Sequence, residues 1–155
     1  MYPREFKYNH AAVFPLIQRS FINRKYTAPA VAMVVNFERG KEAKDSLLSH
    51  DNVITFFHEF GHVMHNLCTK GNFTSMSGAQ VEGDFVEMPS QMLENWVWDT
   101  NMTKRLSKHY ETGEPMSDEM IAKISKVGRD GQASDTLYQC MLGIFDLLVH
   151  TALDQ

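Results

Sequence analysis

Asn52-Val53-Ile54-Thr55-Phe56-Phe57-His58-Glu59-Phe60-Gly61-His62-Val63-Met64-His65-Asn66-Leu67-Cys68 is the stretch on which the fold turns. Val53, Phe57, Phe60, Met64 and Leu67 recur at alternating spacings of four and three, which draws one apolar stripe along a helix. Ile54, Phe56 and Val63 widen that stripe until little of the helix could face water. Ser49 and Asp51 offer a cap and a negative charge at its start, and Gly71 follows its end. The spacing therefore predicts a buried helix. Polar groups on a buried helix need partners, so His58, Glu59, His62 and His65 draw attention.

Three of them carry a chemical pattern. His58 and His62 are four residues apart, hence on one helix face, where both imidazoles can reach one Zn²⁺. Glu59 stands beside the coordination position they leave open, placed to take a proton from a zinc-activated water. Catalytic zinc takes a third protein ligand, for which Glu82, Asp84, Glu87 and Glu94 are the candidates. Glu87 is flanked by Phe85, Val86 and Met88, and a carboxylate buried there without a cation would be costly. Glu82 and Asp84 flank Gly83 and read as loop residues. Glu94, seven residues beyond Glu87, would either support a ligand histidine through its free ring nitrogen or form a plain salt bridge. The competing reading makes both histidines ordinary core residues whose hydrogen bonds are satisfied.

Outward from this helix, the spacing predicts strands and loops over 1–45 and helices over 46–155 in a single domain. Ala30 to Phe37, rich in β-branched residues and bounded by Pro29 and Gly40, is the best strand. A second helix should run from Phe85 or Pro89 to Thr100, and Trp96 and Trp98 are expected as core anchors. Ser117 heads an amphipathic helix through Met120, Ile121, Ile124 and Val127, and 128–131 breaks it. A last helix begins near Ser134 and passes through Leu137, Met141, Phe145 and Leu148. The fold class is mainly α with a small β-sheet (α+β).

The composition narrows the function. Fifteen basic residues against nineteen acidic ones leave a net charge of -4, which offers no footprint for nucleic acid and no polybasic membrane patch. The longest apolar run, Ala28 to Phe37, is too short to span a bilayer, and no charged-then-apolar leader opens the sequence. Cys68 and Cys140 are too few for a disulfide framework and fit a reducing compartment.

Phe57 to His65, followed by Asp84-Phe85-Val86-Glu87-Met88-Pro89-Ser90-Gln91-Met92-Leu93-Glu94-Asn95-Trp96, resembles the thimet oligopeptidase and neurolysin family of zinc oligopeptidases. The resemblance extends to Tyr2-Pro3-Arg4, Lys7, His10-Ala11, Val34-Val35-Asn36-Phe37 and Leu106-Ser107-Lys108-His109-Tyr110. It implies one Zn²⁺ per chain on His58, His62 and Glu87, with Glu59 as general base. It implies a zincin-type helix pair beside an N-terminal edge strand, where Val35 and Asn36 would bind an extended peptide. Short peptides are the implied substrates, and the cytoplasm, a mitochondrion or another organelle the implied compartment.

The sequence departs from the family at Phe6 and Asn9, where glycines are expected, and at Ala79, where threonine is expected. Family members are also much longer, with a histidine and tyrosines that stabilise the transition state lying downstream of the matched region. His109, Tyr110 and Tyr138 read as ordinary helix-surface or core residues and do not replace them. The expectation is a catalytic segment of a larger metallopeptidase, weak or inactive alone, partnered by the remainder of the parent enzyme. The alternative is a zinc-binding structural or interaction module without hydrolysis.

Overall fold

The Ser49 hydroxyl accepts the N–H of Asn52 at 3.2 Å and starts α1, His50–Cys68. At the far end Arg19 donates to the Thr69 carbonyl at 2.9 Å, which occupies one of the carbonyls a helix C-terminus leaves free. These relations come from a computed structural model that describes residues 2–41, 46–128, 130 and 132–151. Part of the expected 1–45 strand-and-loop region and of the 128–131 break therefore lies outside the described residues. Among those described, the molecule is mainly helical with two small antiparallel sheets, in agreement with the expected class.

β1 (Ala12–Ile17) pairs with β4 (Ala30–Val34) in a register that sets Val13 opposite Met33, with an irregularity between Pro15 and Ile17. β2 (Ser20–Ile22) and β3 (Lys25–Thr27) form a hairpin. Its two linking residues, Asn23 and Arg24, both have positive φ, at 50° and 63°, the signature of a tight hairpin turn. The strand predicted over 30–37 ends early, at Val34. The Lys7 ammonium donates to the Val35 carbonyl at 2.6 Å and the Asn36 amide donates to the Tyr8 carbonyl at 3.0 Å. The N-terminal segment thus occupies the Val35 carbonyl that a longer ladder would have used. Phe6, where the resemblance leads one to expect glycine, has φ 61°, a conformation that glycine adopts without steric cost.

The second helix ends close to the expected Thr100, and a further short helix that the spacing did not mark follows it. α2 (Met88–Trp98) stops at Asp99, whose carboxylate accepts the N–H of Met102 at 2.9 Å and opens α3 (Thr100–Leu106). Ser117 caps α4 (Asp118–Val127) as anticipated, and α5 covers Gln132–Thr151. Val35, Phe37, Val63, Val97 and Ile121 are the buried apolar residues among those described. Val97 takes the anchoring place expected of Trp96, which is half exposed.

α1 differs from expectation in which face it hides. Glu59, Gly61, Val63 and Asn66 are buried, whereas Phe60, Met64 and Leu67 from the predicted stripe are exposed. α1 packs on α2 and the β1–β4 sheet, and Val53 and Phe57 of the stripe are half-buried. α5 has no buried residue along its length. No helix among the described residues is long and apolar enough to cross a membrane.

Candidate metal centre

The α1–α2 contact is what assembles the site. Gly61 lies against the first turn of α2, where a Cβ would stand 2.5 Å from the Ser90 Cα and 2.7 Å from the Pro89 carbonyl. With the two backbones that close, Glu87, the residue before α2, meets the two histidines of α1. Glu87 Oε2 is 3.3 Å from His58 Nε2 and 3.2 Å from His62 Nε2. Two donors about 2.0–2.2 Å from one tetrahedral zinc stand about 3.3 Å apart, so these separations match a shared ion.

The charges lead the same way. His58 Nδ1 is 2.6 Å from Glu94 Oε1, so its N–H is directed at that carboxylate and Nε2 presents a lone pair. A lone pair facing a carboxylate oxygen is repulsive unless a proton or a metal cation lies between them. Glu94 thus makes the contact to a histidine that its spacing suggested. Glu82 and Asp84 are exposed and stand apart from this group. Glu87 arrives by a different route from the one its neighbours implied. Its side chain is 50% exposed, as are Phe85 and Met88 in part, so helix contact rather than burial brings it in.

Glu59 is only 6% exposed, and its Oε2 has no hydrogen-bond partner among the described residues. Burial pushes its pKa up, opposed by the nearby His58 and His62 and reinforced by Glu87. A buried carboxylate oxygen without a donor, beside three converging metal-type ligands, suits a group that meets a water or a substrate there. Burial lowers the pKa of His65, and His62 adds to the effect. His65 packs edge-on against Phe85, with ring centroids 6.1 Å apart.

A cleft of about 330 Å³ opens over these side chains. One wall is Ala11, Ala12, Val13 and Pro15, at and around β1; the other includes Asn66, Ala79 and Val86. Val35 and Asn36 do not line it, because Val35 is fully buried and Asn36 turns toward Tyr8. Asn66 was not foreseen from the sequence. Its amide donates to the His62 carbonyl at 2.8 Å and its Oδ1 accepts the Ala79 N–H at 3.3 Å, pinning that wall to α1. Gly78, at φ 61°, lies so close to Asn66 that a Cβ would run into the amide. His109 builds a turn, accepting the N–H groups of Glu111 and Thr112 at Nδ1, and Tyr138 is exposed on α5. Cys68 and Cys140 are exposed and unpaired.

The family model for peptidase family M3 matches residues 1–155. The chain belongs to peptidase family M3. Among M3 relatives it is 42% identical to saccharolysin of Saccharomyces cerevisiae over 99% of its own length and 22% of that protein. Thimet-like oligopeptidase of Dictyostelium discoideum is 41% identical over 97% of the chain, which spans 23% of it. Mitochondrial intermediate peptidase of Arabidopsis thaliana is 31% identical over 96% of the chain and 21% of the relative. The chain therefore spans less than a quarter of these M3 relatives, and the resemblance read from the two helices is a true kinship.

Within this M3 segment, Ser90 is the second residue that sequence reasoning passed over. It is fully buried, and its hydroxyl is 2.9 Å from Glu87 Oε2. The signal available was a small polar residue one turn beyond the expected third ligand.

Proposed function

We propose that this chain is the zinc-binding catalytic segment of a metalloendopeptidase that hydrolyses short peptides. The observation that carries the reading is the meeting of His58 Nε2, His62 Nε2 and Glu87 Oε2 beside the unpartnered, buried Oε2 of Glu59. His58, His62 and Glu87 would hold one Zn²⁺ per chain, and Glu94 would keep His58 in the tautomer that ligates. Zinc, when bound, supplies a Lewis acid that polarises a carbonyl and brings the pKa of a water to about 7.

Glu59 serves as the general base. Its carboxylate accepts a proton from the attacking water and returns it to the leaving amine, a role that suits a carboxyl whose pKa is raised. The peptide would lie along β1, whose Ala12, Val13 and Pro15 wall the cleft and whose far edge has no strand partner among the described residues. The remainder of the parent peptidase would supply further groups that stabilise the developing oxyanion. Two unpaired, exposed cysteines suit the cytoplasm or another reducing compartment.

Two measurements test this. Elemental analysis after chelator-free purification and reconstitution should find one zinc per chain; none would sink the reading. Glu59→Gln in the full-length M3 enzyme should lower kcat about 10²–10⁴-fold with zinc retained. Peptidase activity that survives the change intact would make zinc structural and the general-base role wrong.

A further inference from the structure

We propose that Ser90 is a positioning residue: it holds Glu87 in the orientation that completes the His58–His62 donor set. The inference rests on the zinc reading above and adds the group that makes the third ligand rigid. Glu87 needs such help. It sits just outside α2 with φ -86° and ψ -9°, and half of its side chain is in solvent. A glutamate so placed has three free torsions and would spread over many rotamers.

Ser90 acts on the one atom that matters. Its hydroxyl is 2.9 Å from Glu87 Oε2, the same oxygen that lies 3.2 and 3.3 Å from the two imidazole nitrogens. It is also 2.8 Å from the Glu87 carbonyl, so one proton is shared between two acceptors of one residue. Ser90 is 0% exposed, so no water competes for that proton.

The local helix start reinforces this. A residue at the position of Glu87 commonly turns its side chain to accept a backbone N–H of the first turn. Glu87 makes no such capping bond, and Pro89 has no N–H to offer. The carboxylate is thereby left for the histidines. Gly61 sets the depth of the arrangement, because what a Cβ there would meet is backbone of Pro89 and Ser90, which cannot swing aside.

Metal binding tests the idea independently of turnover. In the full chain, Zn²⁺ and Co²⁺ affinities are measured by chelator competition for wild type, Ser90→Ala, Glu87→Ala and the double variant. The visible spectrum of bound Co²⁺ and the metal-free melting temperature are recorded for each. Ser90→Ala is expected to weaken Zn²⁺ binding about 10–100-fold and to alter the Co²⁺ spectrum, with the metal-free melt little changed. In the Glu87→Ala background the same substitution should change affinity less than about twofold, because its target is gone.

Equal affinity of wild type and Ser90→Ala overturns the proposal. So does an equal loss in both backgrounds, which would mark a packing role. If Ser90→Ala does not fold, Ser90→Cys carries the same comparison with a weaker donor of similar size, and unchanged affinity there overturns the proposal too. A Glu87→Ala variant that binds Zn²⁺ as tightly as wild type refutes the ligand assignment itself, a failure recognisable without reference to Ser90.

Discussion

Glu59 shows at the scale of one residue how function is held against stability. Its raised pKa, caused first by burial, means that the folded chain binds this proton more tightly than the unfolded chain does. The associated stability is fully present below the ordinary carboxylate value of 4.5 and is lost as pH rises through the raised folded value. In chelator, the melting temperature should therefore fall as pH climbs out of that window. Glu59→Gln should flatten the trend, and identical pH profiles for the two would contradict it. The sequence displayed this residue openly, because a helix turns a spacing of four into a shared face. Glu94, seven residues beyond Glu87, was legible only as one of two readings, a support for a histidine or a plain salt bridge. Ser90 and Asn66 were not, since their value lies in meeting a particular atom on another element, which spacing does not encode.

Among the elements, the α1–α2 contact decides whether there is a site at all. A mid-helix glycine costs about 1 kcal/mol relative to alanine, and nothing in the spacing explains why α1 carries Gly61. The structure supplies the reason in the backbone of Pro89 and Ser90. Gly61→Ala is thus expected to destabilise the chain by about 1–3 kcal/mol, the usual range for overpacking, despite alanine's better helix propensity. Urea denaturation checks the sign: a more stable variant would show that α2 does not press on α1 there. Zinc affinity should fall with it, because Glu87 retreats with α2. The elements were otherwise read well where caps and periodicity agreed, as at Ser49 and Ser117. The second helix ends at Trp98, close to the expected Thr100, but α3, which Asp99 opens, was not anticipated.

On the scale of the whole molecule, the apolar surface has more to cover than this chain provides. A compact chain of 17.8 kDa should expose about 8,000 Å², from the scaling of surface with mass, whereas this one exposes 12129 Å². The excess is apolar in part: Phe60, Met64 and Leu67 on α1, and Leu137, Met141, Phe145 and Leu148 on α5, are all in solvent. This is why the predicted burial of α1 failed on its stripe while its site-facing residues are buried. Phe60, Met64 and Leu67 of the stripe stay exposed in this chain, which spans less than a quarter of its M3 relatives, while Val53 and Phe57 are half-buried. Under the function proposed above, the remainder of a longer M3 peptidase covers both faces. Substituting Met141 and Phe145 together by lysine distinguishes the two settings. In the 155-residue chain the change removes exposed apolar area, so it should cost little stability and reduce self-association by light scattering. In the full-length enzyme it should bury two charges and lower the melting temperature by several degrees, about 2–4 °C per kcal/mol in a large domain. An equal effect in both would mean that α5 stays exposed in the parent, and its apolar face would then need another partner.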